Sequence, residues 1–315
     1  MVSSKLTILS ALSLLSTAAV VVEGWTLAST SQGASFFDAF TFFTNSDPTH
    51  GFVQYVDKAT ATNKGLIYTQ NNQTIIKTDN TTTTTSGRQS VRLVSTASYN
   101  TGLFILDLEH MPTGCGTWPA FWMVGPNWPN SGEIDIIEGV NKQAQNQATL
   151  HTSAGCTMEG VNRSQSSTVL ANNCDVNATG QGGNVGCGVS SPDTQTYGAG
   201  FNSNKGGVYA TQWLNDGIYI WFFPRNSIPS DIKSNAPNPN NWGTPMAAFP
   251  FVSGKCTPNK FANLQIVINL TFCGDWAGSV YSSSGCPSDC NTYVGQTPSA
   301  FTEAYWRINS LKVYH

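Results

Sequence analysis

The segment from Gly132 to Gly139 reads Gly-Glu-Ile-Asp-Ile-Ile-Glu-Gly, with three carboxylates within six residues. Isoleucine is β-branched and favours an extended backbone, so this pattern predicts a strand. Successive side chains of a strand point to opposite faces, which puts Glu133 and Asp135 on one face and Glu138 on the other. A β-bulge would insert one extra residue and bring Glu138 round to the first face. A strand with such a bulge would carry all three carboxylates on one face.

This carboxylate cluster has two interpretations. Retaining hydrolysis of glycosides requires two carboxyl groups about 5–5.5 Å apart, one acting as nucleophile and the other as acid and base. The alternative is a solvated acidic strand edge, with or without a bound cation. The spacing of the residues alone leaves both interpretations open.

Strand patterns dominate the rest of the chain. Asn215-Asp216-Gly217 lies between two β-rich runs and predicts a tight hairpin, because Asn and Gly tolerate the positive φ of such turns. Residues 298–304 could form about one turn of helix. Many short strands with Gly-rich connections indicate an all-β, antiparallel sandwich. The predicted strands are Val91–Ser95, Leu103–Leu108, Tyr209–Leu214, Ile218–Phe223, Asn263–Phe272 and Tyr305–Tyr314.

The carboxylate segment resembles the bulged active-site signature of glycoside hydrolase family 16, and the similarity is strongest to secreted fungal laminarinases (endo-β-1,3-glucanases). It covers the chain from about Asp47 to its end. The resemblance implies two curved sheets packed as a jelly roll, with a substrate cleft on the concave face. The further matching segments are Cys115–Trp122, Trp128–Asn130, Leu150–Thr152, Trp221–Arg225, Asn241–Pro245 and Asn269–Gly278.

The resemblance also implies catalytic roles. Glu133 would be the nucleophile, Glu138 the acid/base and Asp135 the residue that orients the nucleophile. Three carboxylates this close cannot all ionise at low cost, so at least one pKa should be raised. A raised pKa suits Glu138, which must hold a proton before it can act as an acid.

Five further residues match substrate-binding positions of the family. Trp122, Trp128 and Trp276 match tryptophans that stack on sugar rings. His151 and Arg92 match positions that hydrogen-bond the glycan. Each tryptophan could instead pack in the core, and His151 and Arg92 could be structural.

The predicted function is therefore endo-acting, retaining cleavage of β-1,3-glucan, including mixed β-1,3/1,4-glucan as a further substrate. Within the family the bulged signature is associated with laminarinases and the unbulged form with lichenases and xyloglucan-active enzymes. Residues 123–127 depart from the longer, more acidic loop of similar enzymes, which leaves the linkage preference open. The alternatives are a cell-wall glucan transglycosylase, which uses the same residues, and a non-catalytic β-glucan-binding protein.

The partner implied by the resemblance is a β-glucan polysaccharide, and the reaction requires no cofactor and no metal. Charged residues make up 10% of the chain and the net charge is −3, which argues against a nucleic-acid partner. We expect a monomer.

The first 24 residues predict a secretory signal peptide. Lys5 provides a positive charge, residues 6–22 are apolar or small, and small residues precede Trp25. A membrane anchor is the competing interpretation, but the apolar run is shorter than the ~20 residues of a spanning helix. We therefore expect a secreted protein, without membrane attachment after cleavage, whose residues 25–315 form one catalytic domain.

Eight cysteines in an oxidising compartment favour disulfides over a metal cluster, although the pattern leaves 105 pairings open. Cys156, Cys174 and Cys187 are expected to staple a long, loop-rich segment, residues 156–207, that forms a wall of the cleft. Glycosylation sequons occur at Asn72, Asn80, Asn162, Asn177 and Asn269. The first four lie in polar, turn-rich stretches, whereas Asn269 lies in an apolar run.

Overall fold

The computed structural model describes residues 24–315, so the predicted signal peptide lies outside the described residues except for Gly24. The strands are β1 Leu27–Ser31, β2 Phe40–Phe42, β3 Val53–Tyr55, β4 Ile67–Gln70, β5 Gln73–Lys77, β6 Arg88–Ser90, β7 Arg92–Ser95, β8 Gly102–His110, β9 Thr117–Val124, β10 Glu133–Glu138, β11 Gln147–His151, β12 Thr168–Val169, β13 Val189–Ser190, β14 Gly207–Leu214, β15 Gly217–Pro224, β16 Ala247–Pro250, β17 Gln265–Phe272 and β18 Tyr305–Tyr314.

Helices are short and lie in the connections. No helix within residues 24–315 is long and apolar enough to cross a membrane. The α-helices are α1 Lys58–Asn63, α2 Gly198–Ser203, α3 Ser230–Lys233 and α4 Cys290–Gln296. Short 3-10 helices span Gly33–Ala39, Thr194–Thr196, Arg225–Ser227, Pro239–Asn241, Pro258–Lys260, Ser282–Ser284 and Pro298–Phe301, and one π-helix spans Gly274–Gly278.

Two eight-stranded antiparallel sheets dominate the fold, which confirms the predicted sandwich, and β3 and β6 form a separate two-stranded parallel sheet. The cleft sheet, as we name it, has the order β12-β13-β11-β10-β9-β17-β7-β2. The outer sheet has the order β16-β15-β14-β8-β18-β5-β4, and β1 also pairs with β18. The carboxylate strand β10 is thus a central strand, with β9 and β11 on its two sides.

The main core lies between the two sheets. Leu106 on β8 belongs to the same buried cluster as Phe121 on β9, Ile134 on β10 and Ile268 on β17. Each of these side chains is at most 1% exposed, and burial of one such side chain contributes about 1.5–3 kcal/mol. Side chains alternate between the two faces of a strand. The residues of β9 and β10 that lie next to these buried apolar residues in the sequence therefore point to the opposite face of the cleft sheet.

The outer sheet also buries its second face. Ile105 and Val208 there are covered by Ile232 and Trp242, which come from the segment between β15 and β16. Trp242 is only 8% exposed and donates its indole N–H to Asp231. This tryptophan therefore packs as a core residue.

Most predicted strands are present with slightly different ends. The hairpin is confirmed: Leu214 pairs with Gly217, so Asn215 and Asp216 form a two-residue turn between β14 and β15. Tyr305–Tyr314 is a strand over its full predicted length. The helical turn predicted at residues 298–304 is a 3-10 helix at Pro298–Phe301.

All eight cysteines are paired within the structure: Cys115–Cys286, Cys156–Cys256, Cys174–Cys187 and Cys273–Cys290. Cys156, Cys174 and Cys187, which were expected to staple the loop-rich segment, all form disulfides. Cys156 ties this segment to Cys256, which follows β16, and only Cys174–Cys187 closes a loop within the segment.

The two bridges of this region differ in the length of chain that they close, 100 residues against 13. Chain entropy predicts that the longer loop stabilises the fold by about 2 kcal/mol more. Replacing both Cys156 and Cys256 with Ser should therefore lower the free energy of unfolding more than replacing both Cys174 and Cys187. Urea unfolding without reductant measures the difference, and the reverse order would contradict it. The denatured wild-type chain should titrate no free thiol.

Candidate active site

Strand β10 contains the predicted bulge. Against β9, Asp135 pairs with Trp122 whereas Ile137 pairs with Phe121, so β10 advances two residues while β9 advances one. The register with β11 shifts at the same place. Glu133 and Asp135 lie on one face, and the extra residue brings Glu138 to that face as well. The sequence prediction for the three carboxylates is confirmed in this respect.

The backbone of the bulge is hydrogen-bonded by Asn146. Its Nδ2 donates to the carbonyl oxygen of Ile136 at 2.8 Å, and its Oδ1 accepts from the N–H of Glu138 at 3.1 Å. Asn146 is fully buried. Sequence reasoning missed this residue, because an Asn before a strand looks like an ordinary turn residue.

Burial raises the pKa of each of the three carboxyl groups. The pKa of Glu133 is raised well above its usual value, first by burial and then by the charge of Asp135. The pKa of Asp135 is raised in the same way, with the charge of Glu138 as the second cause. Burial also raises the pKa of Glu138, against a hydrogen bond from Trp118 that lowers it. Low ionisation of a carboxyl at working pH is what an acid catalyst needs.

His151 lies directly across from Glu133 on β11. Its Nε2 is 3.2 Å from Oδ2 of Asp135, and both side chains are buried. One ligand atom each from Glu133, Asp135 and His151 lies within 4.8 Å of the others, close enough to share a cation.

Two tryptophans lie at the Glu138 end of β10. Trp118 donates its indole N–H to Oε1 of Glu138 at 2.9 Å. Trp276 meets Trp118 edge to face, with ring centroids 5.7 Å apart. Trp276 also lines a cleft of about 400 Å³ together with Val140, Lys142, Gln143, Gln147, Val280, Ser283 and Ser284. Sequence analysis placed Trp118 in a matching segment but assigned it no role.

Trp122 and Arg92 lie on the same face as the carboxylates, further across the cleft sheet. The guanidinium of Arg92 lies 5.0 Å from the centroid of the Trp122 ring and 4.6 Å from that of Phe43. The Trp122 indole N–H donates to Oδ1 of Asn269 at 2.7 Å. Arg92 is 9% exposed, and its guanidinium lies close enough to the Trp122 ring for a cation–π interaction that supports the position of this ring.

Asp47 is a buried carboxylate that sequence reasoning missed. Its Oδ2 accepts hydrogen bonds from Thr271 Oγ1 at 2.7 Å and from the Gly51 N–H at 3.1 Å. Its Oδ1 lies 3.9 Å from Nη1 of Arg92. No local pattern marks this residue, because two of its partners, Arg92 and Thr271, lie more than forty residues away in the sequence.

Trp128 is in the loop that joins β9 to β10, at the Glu133 end of the strand. It is 44% exposed, which leaves its ring open to a ligand. The loop returns to Glu133 through Gly132 at φ +76°, where a Cβ would come within 2.5 Å of the Phe261 ring. Glycine is required there by both conformation and space.

The structure thus brings Glu133, Asp135, Glu138 and His151 together as one cluster. The three predicted stacking tryptophans surround it: Trp128 at the Glu133 end, Trp276 at the Glu138 end, and Trp122 beside Asp135 on β9. Each of the eight predicted site residues therefore lies in or around this cluster, except that Arg92 contacts it through Trp122.

Residues 40–314 match the family described as XgeA-like, catalytic GH16 domain. The chain belongs to glycoside hydrolase family 16. It is 52% identical over 285 residues to a probable glycosidase of Schizosaccharomyces pombe, covering 90% of this chain and 67% of that one. It is 46% identical to an endo-1,3(4)-β-glucanase of Arthroderma benhamiae, covering 90% of this chain and 63% of that one. This chain spans about two thirds or less of the length of these curated relatives.

Two solved structures of family 16 are also similar. Laminarinase 16A of Phanerochaete chrysosporium, with two β-glucans in its donor and acceptor sites, has a TM-score of 0.87 and 47% identity over 92% of this chain and 99% of that one. An elongating family 16 β-1,3-glucosyltransferase has a TM-score of 0.86 and 44% identity over 92% of this chain and 100% of that one. The family 16 fold therefore extends over most of the described residues.

The raised pKa values of the carboxylates predict a pH-dependent cost of folding. A carboxyl whose pKa is raised by folding binds its proton more tightly in the folded protein than in the unfolded chain. Its contribution to stability therefore falls as the pH rises above the pKa that the group has in the unfolded chain. Glu133→Gln removes one such group. The variant should be more stable than wild type at about pH 7, and this gain should disappear at about pH 4.

Thermal unfolding at both pH values measures this difference. The matched control is Glu159→Gln, because Glu159 is an exposed carboxylate outside the cluster. A stability gain for Glu133→Gln that is equal at both pH values would contradict the account.

Proposed function

We propose that this chain is an endo-acting, retaining glycoside hydrolase that cleaves β-1,3-glucan of the laminarin type, with mixed β-1,3/1,4-glucan as a further substrate. The observation that carries the proposal is the bulge of β10, which sets Glu133 and Glu138 on one face with Asp135 between them. Membership of family 16 and the similarity to endo-1,3(4)-β-glucanases support it.

In the first step, the ionised carboxylate of Glu133 attacks the anomeric carbon while Glu138 donates its proton to the departing glycosidic oxygen. This step forms a glycosyl ester on Glu133 and releases the leaving sugar with the new hydroxyl. In the second step, Glu138, now ionised, takes a proton from water, which attacks the same carbon and frees Glu133. Neither step requires a cofactor or a metal.

The environments of Glu138 and Asp135 suit their proposed roles. Burial raises the pKa of Glu138 and so keeps the proton that the first step consumes. Asp135 is 1% exposed, and one of its carboxylate oxygens lies within 4.8 Å of one of Glu133, which places it to orient the nucleophile. Nε2 of His151 lies 3.2 Å from Oδ2 of Asp135 and supports the position of this carboxylate. Asp135 is therefore proposed as the orienting residue.

The proposed ligand is a β-glucan chain lying along the tryptophans of the cleft. Flat sugar faces pack on aromatic rings, and the exposed ring of Trp128 offers such a surface at the Glu133 end. Trp276 would do so at the Glu138 end, and Trp122 between them. His151 would hydrogen-bond the glycan, and Arg92 would act chiefly through Trp122.

Transglycosylation is the second candidate function. It is favoured by the similarity to an elongating β-1,3-glucosyltransferase, which is nearly as close as that to the laminarinase. Analysis of laminari-oligosaccharide products separates the two, because a transglycosylase forms chains longer than the substrate. A non-catalytic glucan-binding role does not account for the retention of all three carboxylates.

We further propose that residues 1–24 are a signal peptide and that residues 25–315 form one secreted, monomeric catalytic domain. The four disulfides suit an oxidising compartment. Asn72, Asn162 and Asn177 are exposed and Asn80 is partly exposed, so these four sequons are open to glycosylation. Asn269 is excluded, because its buried amide is bonded to Trp122 and Tyr55.

Chemical rescue with azide tests the assignment of the two glutamates. Glu133→Ala and Glu138→Ala should each lose nearly all activity on laminarin, and acid/base catalysis alone contributes about 10²–10⁴ in rate. With an activated aryl glycoside, azide should give the β-glycosyl azide from Glu138→Ala, by attack on the glycosyl ester of Glu133. It should give the α-azide from Glu133→Ala, by direct displacement.

The reverse stereochemistry would exchange the two roles. Substantial residual activity of both variants on laminarin would remove the catalytic assignment altogether. Glu159→Gln serves as the control for replacement of a glutamate outside the cluster and should retain full activity.

A further inference from the structure

We propose that Asn146 is a positioning residue for the acid/base carboxyl, and that its amide sets where Glu138 delivers a proton. This inference rests on the proposed retaining mechanism. Asn146 contacts neither carboxyl oxygen; it acts through the backbone on which Glu138 stands.

The amide of Asn146 bridges the bulge. Nδ2 donates to the carbonyl of Ile136, and Oδ1 accepts from the N–H of Glu138, the residues on either side of Ile137. Here the register of β10 against β11 shifts, so the strand ladder cannot pair every backbone group. The side chain of Asn146 therefore supplies two hydrogen bonds that hold the backbone conformation on either side of Ile137, and so the direction in which the Glu138 side chain leaves the strand.

Asn146 is itself held on its other side. Its backbone N–H donates to Oγ1 of Thr196 at 3.1 Å, and its carbonyl accepts from the N–H of Ser191 at 3.0 Å. The residue is 0% exposed, so water cannot replace these bonds. Through Asn146, the bulge is hydrogen-bonded to the segment before α2, which was predicted from the sequence to be part of a long loop.

The residue that follows β10, Gly139, is also closely packed. A Cβ at Gly139 would lie 2.7 Å from the ring of Tyr197, so the chain passes directly beneath that ring. The carboxyl of Glu138 accepts a hydrogen bond from the indole N–H of Trp118. Glu138 is therefore fixed at its carboxyl by Trp118 and at its backbone by Asn146.

The contacts of Asn146 are confined to the Glu138 half of the site. Its side chain makes no hydrogen bond to Glu133 or Asp135. Loss of the amide should therefore impair protonation of the leaving group and leave attack by Glu133 in place. Only substrates whose leaving group needs a proton should be affected strongly.

The test compares two substrates on one enzyme sample. Cleavage of laminarin releases a sugar hydroxyl, which is a poor leaving group and needs a proton. The dinitrophenolate of a 2,4-dinitrophenyl β-laminarioside departs without protonation. In Asn146→Ala, kcat/KM on laminarin should fall about tenfold or more, and kcat/KM on the aryl substrate should stay within about threefold of wild type. The ratio of the two values does not depend on the fraction of enzyme that is folded.

Two further variants make the result specific. Asn202 forms the same kind of amide bridge to the backbone N–H and carbonyl of Met111, away from the carboxylates. Asn202→Ala is therefore the matched control and should leave the ratio unchanged. Thr196→Val removes the bond to the Asn146 N–H together with the bond that the Thr196 hydroxyl donates to the Asp193 carbonyl, but it leaves the amide bridge of Asn146 in place. It should change the ratio in the same direction as Asn146→Ala, by less.

An unchanged ratio in both Asn146→Ala and Thr196→Val, with an active wild type, would overturn the positioning role alone. A ratio that falls equally in Asn202→Ala would overturn it as well, because any lost amide bridge would then have the same effect. A wild type that cleaves neither substrate would contradict the proposed function, and this inference with it.

Discussion

Three carboxyl groups on one face of a central strand are the constraint on which the rest of this structure depends. Glu133, Asp135 and Glu138 all have raised pKa values because they are buried together. Removing several neighbouring carboxylates from water costs free energy of folding, which hydrogen bonds from surrounding groups and packing elsewhere must offset. Strand β10 tolerates it because its other face carries Ile134 into the core between the sheets. The same residue alternation that builds the sandwich therefore exposes the cluster to a ligand.

The neighbouring strands of the cleft sheet hold this cluster in register. Trp118 on β9 reaches Glu138, and His151 on β11 reaches Asp135. On the far side of β9, Arg92 lies against the ring of Trp122, and Asp47 lies near Arg92. The site is therefore a layer of polar and aromatic side chains laid across several strands, and the rigidity of the sheet fixes their mutual distances.

Local patterns were enough to predict most strands and the hairpin, because each depends on neighbouring residues. The bulge was predicted from the resemblance to the family 16 signature, since the spacing of the carboxylates alone left it open. Asn146, Asp47 and the partner of Cys156 could not be predicted, since their roles depend on contacts between distant segments. Arg92 shows the limit of resemblance. Its predicted glycan contact stays a prediction, and resemblance did not foresee that its guanidinium lies against the rings of Phe43 and Trp122.

The central claim is that the bulge places Glu133 and Glu138 for double displacement at the anomeric carbon. The most direct measurement is proton NMR of a laminari-oligosaccharide during the first minutes of cleavage, before the new reducing end mutarotates. The account predicts that the β-anomer of the new reducing end appears first and the α-anomer grows in later. Initial formation of the α-anomer would show inversion and would contradict the assignment of Glu133 as nucleophile.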